Sequence, residues 1–264
     1  MVPPTVLTIA GFDPYGGAGI QADIKTIHAL GGYALSATTA LTAQNGQGVH
    51  ALEAVSASML DRQLRALLDE IAVDAVKIGM LANTELIDVA AEVIEHYALH
   101  NVVLDPVLVS SSGRPLLEAG AVERMVERLF PLCRIITPNL DETNRILNTA
   151  FDGTEIDAMA AGWQRQGVAS VLLKGGHTVE AEACDTLIDG TARHRYCAPR
   201  IITPHTHGTG CILSSAIATH LASGATLPRS VREAKTFLTH TIRHATGLEL
   251  PYRHTATPRK EPLL

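Results

Sequence analysis

Short apolar, β-branched runs alternate with longer amphipathic stretches along most of the chain. Residues 6–9, 75–78 and 170–173 are short and almost wholly apolar, which is typical of strands buried on both faces. Residues 20–30 repeat an apolar position every three or four residues, which predicts an amphipathic helix. Strands and helices that alternate in this way favour a parallel sheet covered by helices on both faces.

The same patterns predict the remaining elements. Strands are predicted over 6–9, 34–40, 75–78, 101–104, 134–136 and 170–173. Helices are predicted over 20–30, 60–71, 86–97, 122–129, 142–147, 156–166, 211–222 and 231–246. Residues 185–189 and 192–197 flank Gly190 and Thr191, which predicts a β-hairpin. We therefore expect one domain over residues 1–250, followed by a proline-containing tail over 251–264 that is mobile.

Composition and charge exclude several classes of protein. The chain has 264 residues, which is enough to bury a large core without disulfides or metal ions. A net charge of −6 argues against a nucleic-acid-binding protein whose affinity rests on a basic surface. No run of about 18 apolar residues is present, as a membrane-spanning helix requires, and the first residues do not resemble a signal peptide. We expect a soluble, cytoplasmic protein.

The four cysteines are scattered along the chain. Cys133, Cys184, Cys197 and Cys211 form no Cys-x-x-Cys pair. We therefore expect neither a disulfide framework nor a zinc site, in keeping with a reducing compartment. Cys133 and Cys197 stand on predicted strands and are expected in the core, whereas the pattern assigns no role to Cys184.

A glycine-rich segment, residues 11–19, follows the first predicted strand. In an open α/β sheet, ligands bind beyond the carboxyl ends of the strands. The glycines allow the backbone to approach a ligand closely, although a tight strand-to-helix turn explains them equally well. The segment is neither a Gly-x-Gly-x-x-Gly fingerprint nor a Walker A motif, which argues against a nicotinamide-dependent dehydrogenase.

Charged side chains follow three other predicted strands. Asp105 ends an apolar strand and could hold Mg²⁺ or cap a turn. Asn139 and Glu142 stand three residues apart at a helix start, a pattern that helix capping explains more often than metal binding. Lys174 precedes two glycines and suits an anion, although a lysine at a strand end is usually only solvated.

The sharpest motif is His-Gly-Thr-Gly-Cys at residues 207–211, directly before an apolar helix. Backbone N–H groups at a helix N-terminus form an anion hole. The same helix dipole favours a thiolate at Cys211 and predicts a lowered pKa for that thiol. A glycine-rich cap with an inert buried cysteine is the alternative. Each motif is weak alone, but five at one edge of a sheet favour a site that handles phosphate.

Together these motifs resemble the ribokinase-like superfamily, and within it the hydroxymethylpyrimidine/phosphomethylpyrimidine kinases of thiamine biosynthesis. The resemblance extends from about residue 5 to 247 and is carried in order by residues 10–11, 16–23, 39–45, 76–81, 105–107, 138–140, 174–177 and 207–211. It implies a ribokinase-like three-layer α/β sandwich with a mostly parallel central sheet. It also implies a homodimer that uses ATP and Mg²⁺ to phosphorylate first a hydroxymethyl group and then the resulting phosphate ester.

The resemblance also assigns roles to individual residues. The pyrimidine substrate would contact Gln44, through its amino and ring-nitrogen edge, and Gly11, Met80, Val107 and Asp23. For phosphoryl transfer, ATP would contact Lys174 and Asn139, and Mg²⁺ would be held by Asp105 and Glu142. The anion hole would consist of Gly208, Thr209 and Gly210. The base that takes the hydroxymethyl proton would be Cys211.

The chain departs from the family pattern beside the predicted pocket. Phe12 and Tyr15 replace two serines, and Ser110 begins a serine run where the family often has a lysine nearby. Phe12 lacks a hydroxyl donor and narrows the room for a substrate phosphate, whereas Tyr15 is expected to point to solvent. The alternatives are a pyridoxal kinase of the same superfamily, whose substrate also carries a hydroxymethyl group on a nitrogen ring, and a non-catalytic ligand-binding homologue.

Overall fold

One sheet of nine strands runs through the protein. The computed structural model describes residues 2–110, 113–175, 181–203 and 206–245. Within them the strands are β1 (Thr5–Phe12), β2 (Tyr33–Asn45), β3 (Gly48–Ala54), β4 (Ala75–Ile78), β5 (Val102–Leu104), β6 (Ile135–Ile136), β7 (Ser170–Leu173), β8 (Glu182–Asp189) and β9 (Ala192–Pro199). Their spatial order is β3-β2-β1-β4-β5-β6-β7-β8-β9. The central strands β2, β1, β4, β5, β6 and β7 run parallel to one another. In contrast, β3, β8 and β9 pair antiparallel with their neighbours.

Helices cover both faces of this sheet. They are α1 (Gly19–Ala29), α2 (Ala57–Leu68), α3 (Thr84–His96), α4 (Ala121–Arg128), α5 (Leu140–Leu147), α6 (Ile156–Arg165), α7 (Thr209–Ala222) and α8 (Leu227–Arg243). Side chains of α2 to α6 share one core with one face of the sheet, and side chains of α1, α7 and α8 share a second core with the other. The predicted three-layer α/β sandwich with a mostly parallel sheet is therefore confirmed.

Several elements differ in their bounds from the sequence prediction, and two of the differences have clear physical reasons. β3 was not predicted, because none of its side chains is fully buried and so it has no apolar run. α8 begins at Leu227, before the predicted start at residue 231, because Pro228 is accommodated in the first helical turn. The predicted hairpin around Gly190 is confirmed as β8 and β9.

Cys184 and Cys197 form a disulfide, so the expectation of no disulfide was wrong. The two residues lie directly opposite each other on β8 and β9, with their Cα atoms 4.0 Å apart. Sequence spacing alone did not reveal this pair, since it depends on the register of the hairpin. Cys197 is also exposed rather than in the core, whereas Cys133 is buried as predicted.

Some sequence predictions fall outside the described residues. They concern the tail over 251–264, the last residue of the predicted final helix and the histidine of the motif at 174–177. Within the described ranges, none of the helices combines the length and the apolar character that a membrane span requires.

Candidate active site

Charged side chains and the start of α7 meet at the carboxyl edge of the parallel strands. Asp105 follows β5 and Lys174 follows β7, and Lys174 Nζ lies 2.8 Å from Asp105 Oδ1. A Cβ atom built on Gly210, in the first turn of α7, would lie 3.0 Å from Asp105 Oδ2 and 3.6 Å from Lys174 Nζ. The structure therefore brings together three of the motifs that the sequence singled out.

The predicted anion hole depends on a close backbone approach at Gly208, the N-cap of α7. A Cβ atom there would lie 1.7 Å from the carbonyl oxygen of Gly17, and the φ angle is +77°, so only glycine fits. Gly208 provides no side-chain cap. The Thr209 hydroxyl and the Thr209 N–H both donate hydrogen bonds to the Thr206 carbonyl oxygen, at 2.9 and 3.3 Å respectively. The Thr209 N–H is therefore already used, whereas no hydrogen bond within the described residues occupies the N–H groups of Gly208, Gly210 and Cys211 at the start of α7.

Lys174 is held between two carboxylates. Its Nζ lies 2.8 Å from Asp105 Oδ1 and 3.7 Å from Glu142 Oε2. Thr137 also donates a hydrogen bond to Asp105 Oδ1 at 3.1 Å. Burial lowers the pKa of Lys174, but Asp105 and Glu142 outweigh burial, and the pKa is raised above its ordinary value. The lysine is therefore a permanent cation at this edge.

Asn139 and Glu142 form the predicted capping box at the start of α5. Asn139 Oδ1 accepts from the Glu142 N–H, and Glu142 Oε2 accepts from the Asn139 N–H, both at 2.8 Å. Glu142 nevertheless remains next to Lys174. Burial raises the pKa of Glu142 to about 7, with Lys174 opposing this rise and Asp105 adding to it. Glu142 is thus both a helix cap and a member of the charged cluster.

The residues predicted for the pyrimidine lie around the end of β1. A Cβ atom on Gly11 would lie 2.6 Å from Met80 Cε, so these two residues are in contact. Gln44, near the end of β2, forms a side-chain hydrogen bond with Asp13. Val107, two residues beyond Asp105, is half-buried. Gly11 is thus in contact with Met80, and Gln44 acts on Asp13, two residues beyond Gly11.

Asp13 is a site residue that sequence reasoning passed over. Its carboxylate is buried, accepts three N–H groups from residues 15–18 at 2.8–3.0 Å, and lies 3.1 Å from His207 Nε2. Burial raises its pKa, but the hydrogen bonds from His207, Gln44 and the backbone prevail and lower it to about 2. Asp13 is therefore ionised and ties the loop after β1 to the start of the anion hole. An aspartate before glycines in a turn was the available signal.

Tyr15 does not point to solvent, contrary to the expectation. It is half-buried, its hydroxyl oxygen lies 3.3 Å from a Cβ atom built on Gly46, and its ring lies 6.2 Å from that of His207. Phe12, in contrast, is 40% exposed at the end of β1. Tyr15 therefore fills the space between the β2–β3 turn and the anion-hole segment.

Asp23 lies beneath the site, which contradicts its predicted contact with substrate. It is fully buried, and its carboxylate accepts hydrogen bonds from Thr8 at 2.6 Å, Lys77 at 2.8 Å and Ser215 at 2.7 Å. Lys77 is also fully buried, and the sequence patterns assign it to a strand and to the family motif over 76–81 without a role at the site. A lysine inside an apolar strand needs a buried counter-charge, and this was the signal that could have paired it with Asp23.

The lowered pKa predicted for Cys211 is wrong. Burial raises the pKa of this thiol to about 11, although Lys77 and a hydrogen bond from the Gly19 N–H act to lower it. The sulfur does lie at helix N-termini, as the sequence suggested. Loss of hydration outweighs the favourable dipoles, because a thiolate is expensive to bury. At neutral pH the residue is therefore mainly a thiol.

The fold and this edge of the sheet define a class of protein. A mostly parallel sheet between two helix layers, with a helix N-terminus next to a lysine and an aspartate at the carboxyl edge of the sheet, is the arrangement of a ribokinase-like phosphotransferase. The phosphomethylpyrimidine kinase family model matches residues 13–256. The chain belongs to this family.

Individual relatives agree with that assignment. The hydroxymethylpyrimidine/phosphomethylpyrimidine kinase of Escherichia coli is 42% identical, and the match covers 92% of each chain. The thiamine biosynthesis bifunctional protein ThiED of Geobacter sulfurreducens is 45% identical over 92% of this chain but only 50% of its own length. Among solved structures, an ADP complex of Bacillus subtilis pyridoxal kinase has a TM-score of 0.85 and 34% identity, covering 93% of this chain and 94% of that one.

Glu142 predicts a pH-dependent stability difference. Because its pKa is raised from 4.5 to about 7 on folding, the native state binds more protons between these values and loses stability as pH rises through them. Glu142→Gln removes this cost while keeping an oxygen for the α5 cap. We expect the variant to be more stable than the original protein at pH 8, by up to about 3 kcal/mol, and little changed at pH 4.5. Thermal unfolding at both values measures this, and a Tm gain independent of pH would contradict it.

Proposed function

We propose that this protein transfers the γ-phosphoryl group of ATP to 4-amino-5-hydroxymethyl-2-methylpyrimidine and then to its monophosphate, in thiamine biosynthesis. The observation that carries the proposal is the start of α7, where Gly210 lies against both Asp105 and Lys174. Gly11, Met80 and Gln44 would bind the pyrimidine. The class of substrate is that of the relatives, which are kinases of thiamine biosynthesis.

Positioning and charge neutralisation account for most of the proposed catalysis. Lys174 and the N–H groups of Gly210 and Cys211 would hold the phosphate oxygens of ATP, where negative charge is greatest during transfer. Cys211 would take the proton of the hydroxymethyl group. Because its pKa is about 11, only a small fraction is thiolate at neutral pH. Base catalysis therefore contributes less than the anion hole and Lys174.

The carboxylates at the site fit a magnesium ion. Mg²⁺ in phosphoryl-transfer enzymes usually binds one or two carboxylates together with substrate phosphates. Asp105 and Glu142 flank Lys174 and offer such oxygens, and Asp105 Oδ2 faces the first turn of α7. These two residues would hold the ion, which when bound neutralises charge on the phosphates. Asn139 would contribute to nucleotide binding mainly by fixing Glu142 through the α5 cap.

An assay of ADP release tests the activity directly. The full chain with ATP and Mg²⁺ should form ADP in the presence of the pyrimidine alcohol, and again with its monophosphate. No turnover with either acceptor would refute the proposal. Nucleotide and pyrimidine binding without ADP formation would support the non-catalytic alternative instead.

Pyridoxal is the second candidate substrate, because a pyridoxal kinase is among the close structural neighbours. Its hydroxymethyl group also projects from a nitrogen ring, so the same anion hole would serve it. We expect kcat/KM to be higher for the pyrimidine alcohol. We further propose a single kinase domain over residues 1–250 and a cytoplasmic homodimer, whose oligomeric state light scattering measures.

Cys211→Ala tests the proposed base. We expect kcat to fall about 10²-fold, the usual contribution of general-base catalysis, with the KM for ATP little changed. Ser214→Ala is the matched control, because the Ser214 hydroxyl in the same helix bonds only to the carbonyls of Gly210 and Cys211 among the contacts described. A near-normal kcat for Cys211→Ala would remove the thiol from proton transfer.

Gln44→Ala tests recognition of the pyrimidine. We expect the KM for the pyrimidine alcohol to rise about tenfold, as for the loss of one substrate hydrogen bond, and the KM for ATP to stay unchanged. Gln63→Ala is the control, since the Gln63 side-chain amide, on α2, forms its hydrogen bonds with the backbone of Thr38, in the same strand as Gln44, and has no assigned contact with substrate. Equal effects of Gln44→Ala on both KM values would exclude a role in substrate recognition.

A further inference from the structure

α1 and α7 are joined by two contacts that lie one helical turn apart. The Gly19 N–H donates to the sulfur of Cys211, and the Ser215 hydroxyl donates to Asp23 Oδ1 at 2.7 Å. Gly19 and Asp23 are four residues apart, as are Cys211 and Ser215, so each pair shares a helix face. Cys211 therefore lies one turn of α7, ~5.4 Å along its axis, before Ser215, whose hydroxyl contacts the Asp23 carboxylate.

Lys77 reaches this point from the sheet. It lies on β4 opposite Thr8 of β1, and its Nζ is 2.8 Å from Asp23 Oδ2. A Cβ atom built on Gly79 would lie only 2.8 Å from the same Nζ. Because Gly79 follows β4 at its carboxyl end, the ammonium extends along the strand toward the active site. Its positive charge is thus placed below the first turn of α7.

The surroundings of Cys211 contain charges of both signs. The charged side chains that act on it are Lys77 from β4, Asp23 from α1, Asp105 beyond β5 and Lys174 beyond β7. Burial and the two carboxylates raise the pKa of the thiol, and Lys77 is the largest influence that lowers it. Lys174 is shared between Asp105 and Glu142. Lys77 is therefore the main favourable charge for a negative sulfur.

Stability alone gives a weak reason for a lysine at position 77. A buried ion pair costs two desolvations, and apolar residues of similar volume are often as stable or more so. Lys77 lies in a strand whose other three residues are buried and apolar, so a methionine would suit the packing. The fully desolvated pair is thus better explained by its electrostatic effect on a neighbouring group.

We propose that Lys77 is a positioning residue for Cys211: held by Asp23 beneath the first turn of α7, its ammonium stabilises the thiolate form of that sulfur. The thiolate accepts the hydroxymethyl proton as the alcohol oxygen bonds to the γ-phosphorus and the bond to ADP breaks. This proton-transfer role rests on the proposed function, whereas the charge state of the sulfur does not.

Alkylation of Cys211 measures the thiolate without any kinase turnover. The full chain, free of nucleotide and metal, is treated with iodoacetamide between pH 6 and 10, and the labelled Cys211 peptide is quantified by mass spectrometry. For Lys77→Met we expect labelling at pH 8 to be about tenfold slower, which corresponds to a pKa higher by one unit. The double variant Asp23→Asn/Lys77→Met, which leaves no unpaired buried charge, should also label more slowly than the original protein.

Lys235→Met is the matched control. Lys235 Nζ forms a second buried ion pair, 2.7 Å from Asp185 Oδ2, on α8 and β8. This variant should lose stability in the same way as Lys77→Met, but Cys211 should label at the original rate. Labelling of Cys211 at the original rate in both position-77 variants would overturn the inference.

The pH dependence of kcat separates electrostatic from structural effects. In Lys77→Met the rising part of the profile should move to higher pH, with the KM for ATP unchanged. A fall in kcat by the same factor at every pH would indicate structural damage and contradict the inference. Failure of the original protein to release ADP would instead refute the proposed function, while the alkylation result would still decide how Lys77 acts on Cys211.

Discussion

A single buried carboxylate, that of Asp23, connects four of the elements on which the site is built. From α1 it accepts hydrogen bonds from Thr8 on β1, Lys77 on β4 and Ser215 on α7. Removing one partner of such a pair leaves an uncompensated buried charge, which typically costs about 3–5 kcal/mol. The cost fixes how the starts of α1 and α7 lie on the sheet. In that arrangement the backbones of Gly17 and Gly208, at the two helix starts, are in close contact.

Two buried carboxylates at the edge of the sheet behave oppositely because their neighbours differ. Asp13 receives three backbone N–H groups and a hydrogen bond from His207, so its pKa falls to about 2 despite burial. Glu142 receives one backbone N–H group and faces Asp105, so burial dominates and its pKa rises to about 7. The Asp13 carboxylate therefore stays ionised and has a structural role, whereas the charge of Glu142 near neutral pH depends on its surroundings.

Sequence patterns predicted the layers and the edge of the sheet where the motifs meet, since both follow from local periodicity and from the rule for parallel strands. They did not predict the contacts that set the chemistry. Lys77 and Ser215 stand 54 and 192 residues from Asp23, and no local pattern links them. The Cys184–Cys197 pair likewise required the register of β8 and β9. The pKa of Cys211 required its burial, which a helix-start motif does not report.

The balance of charges explains how an acidic protein handles phosphates. With a net charge of −6, the chain gains nothing from its overall field. Lys174 and Lys77 are each paired with carboxylates, so the positive charge that Lys174 would offer a nucleotide is largely compensated. The uncompensated attraction would come from the N–H groups at the start of α7, whose N-cap residue, Gly208, provides no side-chain cap. Because these dipoles are fixed by the backbone before a ligand binds, they need no reorganisation during transfer. For the proposed kinase, the specificity of the site for phosphate would therefore lie in backbone geometry, and its side-chain charges would adjust the protons that move there.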